Sequence, residues 1–318
     1  MISLRVQTPS RLHFGLLGWG PDSVRQFGGV GLMIEDPGIR LIARPAQAWS
    51  AEGPLADRVL RVAHALAAQL PTPPVAFLVE TAPGEHLGLG VGTQVSLAVA
   101  QAILALAGEP APSLETLARL TGRGLRSGIG LHGFRHGGFI VDGGRGAVGG
   151  IPPLLARLPF PAEWSVLVVT PGRGPGLHGT EEASAFAKLP AIPQRVTDRL
   201  CRSVLLGIMP ALIEHDLEAF GRSLTELQEE VGLCFAPAQG GRLASARSAE
   251  IVADLRRSGL HGVGQSSWGP TLYGFSIAPQ TVRERVAEEL KARFSLAPGS
   301  VRWTKGSQVG CSLDHIES

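Results

Sequence analysis

The chain has 318 residues, of which 44% are hydrophobic and 18% charged, and its formal net charge at pH 7 is +2. This composition is typical of a globular protein, and the length allows one large domain or two halves that share a core. A nucleic-acid surface needs clustered Lys and Arg, and this sequence has no block of like charges. The three cysteines, Cys201, Cys234 and Cys311, are far apart and form neither a disulfide framework nor a Cys-x-x-Cys metal motif.

No segment has the pattern of a targeting peptide or a membrane span. Arg5 and Arg11 interrupt the first apolar stretch, which excludes the apolar core of a signal peptide. The longest apolar run, residues 95–107, is too short to cross a bilayer. We therefore expect a cytoplasmic protein in a reducing compartment, with neither a membrane nor a nucleic acid as partner.

The first half of the chain is predicted to be rich in strands. Residues 2–7 alternate apolar and polar side chains, as a half-buried strand does, and residues 55–70 place apolar side chains at helical spacing. Residues 95–107 are apolar almost all round, which favours a helix inside the domain, and Ser113 is a good N-cap for a helix that ends near residue 120. The other predicted strands are residues 31–34, 39–43, 75–80 and 138–142.

The second half is predicted to be mainly helical. Four prolines between residues 152 and 161 indicate a linker, and residues 164–170 have the pattern of a buried strand. The predicted helices are residues 180–189, 193–209, 212–231, 242–258 and 279–294, and the predicted late strands are residues 271–277, 300–304 and 308–312. We predict an α+β fold with a strand-rich part at residues 1–155 and a helical, α+β part at residues 156–318.

The most informative segment is the run Gly88-Leu-Gly-Val-Gly-Thr-Gln94, which leads directly into the predicted buried helix. Alternate glycines let the backbone approach a ligand closely, and the first amide groups of a helix have no partner within it. Together the two features predict an anion-binding loop for a phosphate or pyrophosphate. A tight turn packed against the helix is the structural alternative.

Two further glycine-rich segments follow, at residues 122–130 and 262–270. The first contains Arg126, whose guanidinium can bind a phosphate or a carboxylate through two parallel hydrogen bonds. The predicted strand at residues 138–142 ends at Asp142. A carboxylate there can face a cleft and hold a metal, or it can accept backbone hydrogen bonds as a loop cap.

Three segments in this order resemble the signature motifs of the GHMP kinase superfamily: Pro9-Ser-Arg-Leu-His-Phe-Gly15, residues 88–94 and Gly264-Gln-Ser-Ser-Trp-Gly-Pro270. The resemblance covers most of the chain and implies a GHMP-kinase-like fold in two parts with the active site in the cleft between them. Within that superfamily, residues 123–130 and 137–144 are most similar to the β-ribofuranosylaminobenzene 5′-phosphate synthase family of tetrahydromethanopterin biosynthesis.

That resemblance implies a phosphoribosyl transfer. Phosphoribosyl pyrophosphate is joined to 4-aminobenzoate or 4-hydroxybenzoate, carbon dioxide and pyrophosphate are released, and Mg²⁺ is the cofactor of a homodimeric enzyme. Departure of pyrophosphate builds negative charge on its oxygens, so backbone donors and Mg²⁺ are the expected main contributions to catalysis. Loss of carbon dioxide restores the aromatic ring without a strong base, so the reaction does not require a His/Asp dyad.

The resemblance also implies the site residues. Catalytic roles are expected for Asp142, Arg126 and His13, with Asp142 also the candidate Mg²⁺ ligand; a hydrogen bond from His13 to a backbone carbonyl is the structural alternative. Pyrophosphate is assigned to Gly88, Gly90, Gly92, Thr93 and Gln94. Further substrate contacts are expected from Ser10, Arg11, Arg135, Gln265, Ser266 and Ser267.

Two groups of titratable residues outside the motifs are weaker candidates. His132 and His136 would share a helix face as metal ligands, but the glycines at residues 133, 137 and 138 argue against a helix there. His178, Glu181 and Glu182 follow a proline- and glycine-rich loop, and the acidic pair there favours a helix N-terminus.

Two other functions compete with the synthase. Kinases of the superfamily usually place two serines where this chain has Thr93 and Gln94, and an amide is a poorer Mg²⁺ ligand than a carboxylate. This departure disfavours the main alternative, an ATP-dependent small-molecule kinase of the same superfamily. The third hypothesis is a metabolite-binding protein that retains the glycine-rich loop without catalysis.

Overall fold

The structure is a computed structural model, which describes residues 3–147, 149–172, 184–185 and 189–316. Strands of the described chain are β1 Ser3–Gly18, β2 Phe27–Pro45, β3 Ser50–Glu52, β4 Val75–Thr81, β5 Phe139–Asp142, β6 Leu154–Leu158, β7 Ser165–Val169, β8 His261–Gln265, β9 Leu272–Ser276, β10 Val301–Thr304 and β11 Ser312–Ile316. Its helices are α1 Ala56–Ala67, α2 Val91–Leu106, α3 Leu114–Thr121, α4 Ile129–His136, α5 Gln194–Ser203, α6 Met209–Ile213, α7 Leu217–Gln239, α8 Ala246–Arg257 and α9 Gln280–Phe294. A π-helical segment, Val204–Ile208, joins α5 to α6.

The strands form two sheets. Five strands of the first sheet run in the order β11-β1-β2-β4-β3, and β5 and β6 extend it from β2; the second sheet has the order β10-β7-β9-β8. Neighbouring strands are antiparallel except for the parallel pair β3 and β4. The boundary predicted between residues 155 and 156 falls inside β6, and β11 returns to the first sheet. The two sheets therefore do not coincide with the two halves of the sequence.

The core is continuous across both sheets. Helix α2 is buried over most of its length, as its apolar sequence predicts, and it packs against β1, β2 and α1. An aromatic cluster joins the sheets near α7, where the Phe220 ring lies 5.1 Å from those of Trp164 and Phe275. Phe14 on β1 reaches the same cluster, 6.2 Å from Phe275. Packing of large aromatic rings thus fixes β1 against the second sheet.

Several predicted elements are confirmed close to their predicted ranges, among them α1, α3, β4, β5, β7 and β9. Ser113 caps α3 as expected, because its hydroxyl accepts a hydrogen bond from the Thr116 amide. Other predictions are wrong. The expected linker at residues 152–161 contains strand β6. The two strands predicted at residues 31–34 and 39–43 form the single strand β2. The last strand begins at Ser312, where the predicted strand ends. Most of the predicted helix 180–189 lies outside the described residues. The candidates His178, Glu181 and Glu182 lie outside them entirely.

Helix α4 is the largest correction to the predicted elements. It spans Ile129–His136, where glycine content argued against a helix. The glycines are required by packing: a Cβ on Gly133 would lie 2.2 Å from the Met33 sulfur, and a Cβ on Gly130 would lie 3.0 Å from the Thr93 methyl. Tertiary packing therefore outweighs the weak helix propensity of glycine here.

Among the described helices, none combines the length and the apolar character that crossing a membrane requires.

Replacing Phe220 with Ala should lower the free energy of unfolding by about 3–5 kcal/mol, because its fully buried ring packs against Trp164 and Phe275 in the aromatic cluster between the sheets. Chemical denaturation measures the change. Ile277→Ala is the matched control: its side chain is 63% exposed, so the expected change is within about 0.5 kcal/mol. Equal changes in the two variants would contradict the assignment of the aromatic cluster as the core between the sheets.

Candidate active site

Three segments far apart in the chain meet at the hydroxyl of Ser266. The Ser266 Oγ accepts a hydrogen bond from the His13 amide at 3.0 Å and donates one to the Gly88 carbonyl at 2.7 Å. The Ser267 amide donates to the His13 carbonyl at 3.0 Å, and the Arg11 amide donates to the Leu89 carbonyl at 2.9 Å. The three predicted motifs are therefore assembled into one structure. Ser266 is fully buried and, unlike Ser267, is not in the wall of the cavity described below, so its observed role is to hold the motifs together.

The glycine-rich loop at residues 88–94 leads into α2 as predicted, but its glycines are needed mainly for contacts within the protein. Gly88 and Gly90 have φ angles of +82° and +73°, in the left-handed region that favours glycine. A Cβ on Gly88 would lie 2.5 Å from the Ser266 carbonyl oxygen, and one on Gly90 would lie 3.0 Å from Arg11 Nε. Thr93, in the first turn of α2, is the residue of this loop that lines the cavity described next.

A cavity of about 390 Å³ lies between β1, the starts of α2 and α4, and helix α7. It contains members of all three motifs, and its remaining wall comes from the glycine-rich segment at residues 122–127, from α7 and from the loop after α7. Its polar lining residues are Arg11, His13, Thr93, Arg123, Arg126, Ser127, Gln228, Gln239, Arg242, Gln265 and Ser267. Four of these are arginines, and no aspartate or glutamate is among the described residues that line it. A cavity with this charge suits a ligand that carries several negative charges.

Arg123 connects the cavity to the start of α2. Its guanidinium donates to the Ser96 hydroxyl at 3.0 Å, and the Ser96 hydroxyl donates to the Gly92 carbonyl at 2.8 Å. Burial, and to a lesser extent the neighbouring Arg58 guanidinium, lower the pKa of Arg123. Two cations close to the first turn of a helix form an environment in which an anion is stabilised.

His13 and Asp142 are joined through Ser127. His13 Nε2 lies 3.1 Å from Ser127 Oγ, which donates to Asp142 Oδ2 at 3.1 Å. Burial, followed by the positive charge of Arg11, holds the pKa of His13 well below its usual range, so the imidazole is neutral at pH 7. Burial raises the pKa of Asp142, although its hydrogen bonds oppose that rise. The sequence analysis predicted His13 and Asp142 as site residues, but it did not predict that Ser127 joins them.

Asp142 has the geometry of a cap and not that of a metal ligand. Its Oδ2 accepts the Gly128 amide at 2.9 Å, where α4 begins, and its Oδ1 accepts the Gly144 amide at 2.9 Å. The side chain is fully buried behind Ser127. No group of three or more His, Cys, Asp or Glu within the described ranges could hold a metal ion. The structure therefore favours the loop cap over the Mg²⁺ ligand for Asp142, because backbone amides donate to both oxygens and no group of described acidic residues completes a metal site around it.

Other predicted site residues also have structural partners. Gln94 is fully buried, accepts a hydrogen bond from the Thr8 hydroxyl and donates to the Gly130 carbonyl at 2.9 Å, so it joins β1 to α4. Arg135 points away from the cavity and donates to the Pro112 carbonyl. Ser10 is fully buried within the sheet and is not in the cavity wall. Gln265 lines the cavity, but its side chain accepts the Ala244 amide at 2.8 Å.

The sequence did not identify five polar residues of the cavity wall, namely Arg123, Ser127, Gln228, Gln239 and Arg242. Ser127 and Arg123 lie within the second glycine-rich segment, so their position beside Arg126 was an available signal. Gln228 on α7 and Arg242 after it lie in a helical region without a motif, and folding alone brings them to the cavity. His132 and His136 do share α4, but His132 Nε2 is 2.7 Å from the Pro152 carbonyl, a structural contact.

Removal of the Ser266 hydroxyl should destabilise the protein by about 1–3 kcal/mol, because it leaves a buried amide and a buried carbonyl without their partner. The free energy of unfolding of Ser266→Ala measures the effect. Ser50→Ala, at an exposed serine of β3, is the control and should change little. A Ser266→Ala variant as stable as this control would contradict the role of Ser266 in joining the three motifs.

The chain is similar to known proteins in both its sequence and its structure. Residues 208–296 match the family model for the C-terminal region of GHMP kinases. The β-ribofuranosylphenol 5′-phosphate synthase of Methanothermobacter thermautotrophicus is 31% identical over 98% of this chain and 99% of its own length. The synthase of the same name from Archaeoglobus fulgidus is 34% identical over 86% of this chain and 88% of its own length.

Solved structures share the fold at low sequence identity. A homoserine kinase from Cytophaga hutchinsonii has a TM-score of 0.69 and 17% identity, with 98% of this chain and 97% of that chain covered. A mevalonate diphosphate decarboxylase from Staphylococcus aureus has a TM-score of 0.64 and 13% identity, with 100% of this chain and 99% of that chain covered. These likenesses confirm the predicted α+β fold of the GHMP kinases.

The similarity to the synthases extends over most of the chain, and the three motifs meet around one cavity. Both observations lead to the same conclusion. The chain belongs to the β-ribofuranosylphenol 5′-phosphate synthase family, within the GHMP kinase superfamily, and is an enzyme of that type.

Proposed function

We propose that the cavity joins phosphoribosyl pyrophosphate to 4-hydroxybenzoate or 4-aminobenzoate, with release of carbon dioxide and pyrophosphate, as a step of tetrahydromethanopterin biosynthesis. The observation that carries this proposal is the lining of four arginines without a carboxylate. Both substrates are anions: the ribosyl donor carries a phosphate and a diphosphate, and the acceptor carries a carboxylate. The phenol in the relatives' name supports 4-hydroxybenzoate as the acceptor.

The diphosphate of the donor is best accommodated at the start of α2. Thr93 lies in the first turn of this helix, at the positive end of the helix dipole, and Arg123 lies beside it; the Thr93 amide itself donates to the Gly90 carbonyl at 3.0 Å. These groups would stabilise the negative charge that develops as pyrophosphate leaves. Arg126 and Arg242, on the other walls, would bind the 5-phosphate and the benzoate carboxylate.

In this proposal Mg²⁺ binds together with the diphosphate of the ribosyl donor. Because the cavity offers no carboxylate among the described residues, the ion would be held by the diphosphate oxygens and not by an acidic residue of the protein. Its contribution is the neutralisation of charge on the leaving group.

The homodimer also remains a proposal, supported by exposed leucines beside the helical pair α5 and α6. Leu205 and Leu206 are 62% and 69% exposed in the π-helical segment, and Ile213 at the end of α6 is 65% exposed. Light scattering of the purified protein tests it. A mass of two chains is expected, and a monomer at all accessible concentrations would contradict it.

The direct test of function uses phosphoribosyl pyrophosphate, Mg²⁺ and a carboxyl-labelled aromatic acid. Release of labelled carbon dioxide together with pyrophosphate is expected. Formation of ADP from ATP with sugars or alcohols, without carbon dioxide release, would indicate a kinase instead. Binding of the substrates with neither reaction would indicate a metabolite-binding protein.

Arg126→Gln should raise the KM for phosphoribosyl pyrophosphate or for the aromatic acid by about 10- to 100-fold, because a hydrogen bond to a charged group is lost. Steady-state kinetics with each substrate varied in turn identifies which anion the arginine binds. Arg195→Gln is the matched control, since that arginine is exposed on α5, outside the cavity, and both KM values should be unchanged. Unchanged KM values in Arg126→Gln would contradict its placement in the site.

A further inference from the structure

The wall of the cavity contains a continuous hydrogen-bonded chain from His13 through Ser127 to Asp142. His13 and Ser127 line the cavity, and Asp142 is fully buried behind them. Both links are 3.1 Å long, His13 Nε2 to Ser127 Oγ and Ser127 Oγ to Asp142 Oδ2. Such spacing allows proton transfer along the chain between the cavity and a carboxylate that no substrate reaches.

The positions of the protons follow from the partners. Asp142 accepts hydrogen bonds from two backbone amides, so it is an acceptor toward Ser127 as well. Ser127 has one hydroxyl proton, and the bond to Asp142 uses it. Toward His13, Ser127 is therefore the acceptor, and His13 carries its proton on Nε2. The second ring nitrogen, Nδ1, is left as the acceptor of a neutral imidazole.

Gly29 on β2 provides the space for this chain. A Cβ at residue 29 would lie 2.8 Å from Asp142 Oδ2 and 2.9 Å from Ser127 Oγ. Any side chain there would therefore push apart the two oxygens that share the proton. Gly29 pairs with Asp142 across β2 and β5, so the sheet register fixes this close approach.

We propose that His13, Ser127 and Asp142 form a proton relay that removes the phenol proton of the aromatic acid. This inference rests on the proposed function with 4-hydroxybenzoate as acceptor. The phenol O–H bond breaks as its proton passes to His13 Nδ1, the Nε2 proton of His13 passes to Ser127 Oγ, and the Ser127 hydroxyl proton passes to Asp142 Oδ2. The outcome is a phenolate, a neutral His13 protonated on Nδ1, and a neutral Asp142. The reverse transfer restores the phenol in the product.

The phenolate is the form of the substrate that reacts. A phenol has a pKa near 10, so only about one molecule in 10³ is ionised at pH 7. Ionisation places electron density on the ring carbon opposite the oxygen, which is the carbon that bears the carboxylate in 4-hydroxybenzoate. That carbon forms the bond to the ribose, and carbon dioxide leaves with its bonding electrons remaining in the ring. Removal of the proton thus increases the reactivity of the attacking atom.

The charges around the relay favour a proton that passes through His13 over a proton that stays on its ring as an imidazolium. Burial, followed by the positive charge of Arg11, disfavours an imidazolium, in agreement with the lowered pKa of His13. Burial favours a protonated Asp142, in agreement with its raised pKa, although the charge of His132 on the neighbouring helix acts in the opposite direction. A shift of the proton to Asp142 therefore avoids a new positive charge in a cavity that already holds four arginines.

The test is the pH dependence of Ser127→Ala, with Ser127→Thr as the variant that keeps the hydroxyl. At pH 7, Ser127→Ala should lower kcat for 4-hydroxybenzoate by about 10²-fold or more, with the KM for phosphoribosyl pyrophosphate nearly unchanged. Its kcat should then rise about tenfold per pH unit toward the phenol pKa, as the substrate ionises without help. Wild type and Ser127→Thr should lack this slope. A loss in Ser127→Ala that is the same at every pH, or no loss, would overturn the relay.

A measurement on the wild type keeps the inference testable if Ser127→Ala does not fold. Single-turnover release of carbon dioxide in mixtures of H₂O and D₂O should slow with a curved dependence on the deuterium fraction, since several protons move together. Absence of any solvent isotope effect would overturn the relay. A wild type that releases no carbon dioxide from either aromatic acid would overturn the proposed function and this inference together, whereas an active wild type with an unaffected Ser127→Ala overturns the relay alone.

Discussion

One buried hydroxyl, that of Ser266, positions the whole site. It receives the His13 amide and donates to the Gly88 carbonyl, so β1, the start of α2 and the loop after β8 are held at hydrogen-bond distance. The two bonds span 253 and 178 residues of the chain, so nothing local would bring these segments together. Because the oxygen is fully buried, both of its bonds form without competition from water. The cavity exists because these three segments meet around it.

The cavity is positively charged, which favours an anionic ligand. Its wall has four arginines and no described carboxylate, and Gln94, where kinases of the superfamily have serine, is turned into the protein to join Thr8 to Gly130. Gln94 thus serves the core, whereas Thr93 directly before it lines the cavity. The same fold can therefore support a different reaction through a few changed side chains.

Much of the fold was predictable from the sequence, because periodicity and capping are local properties. The apolar run of α2, the Ser113 cap of α3 and the short strand β5 each carry their own signal. Helix α4 and strand β6 were missed because glycine and proline counts do not show which close contact a residue must allow, such as that of Gly133 with the Met33 sulfur. Tertiary packing decides these elements.

The candidate site was predictable at the level of motifs but not of individual side chains. Sequence order identified the three segments and several residues that do line the cavity, namely Arg11, His13, Thr93, Arg126, Gln265 and Ser267. It could not show that Gln94 and Asp142 point inward, since burial and hydrogen-bond partners depend on distant residues. Gln228 and Arg242 reach the cavity only through the packing of α7, which no motif indicates.

The most direct test of the account is a crystal structure of the protein with phosphoribosyl pyrophosphate and Mg²⁺, without an aromatic acid. We expect the diphosphate within hydrogen-bond distance of Thr93 and of the Arg123 guanidinium, with the anomeric carbon facing His13. A diphosphate bound outside the cavity, for example on the other side of Gly92 beside Arg58 and Arg61, would contradict it.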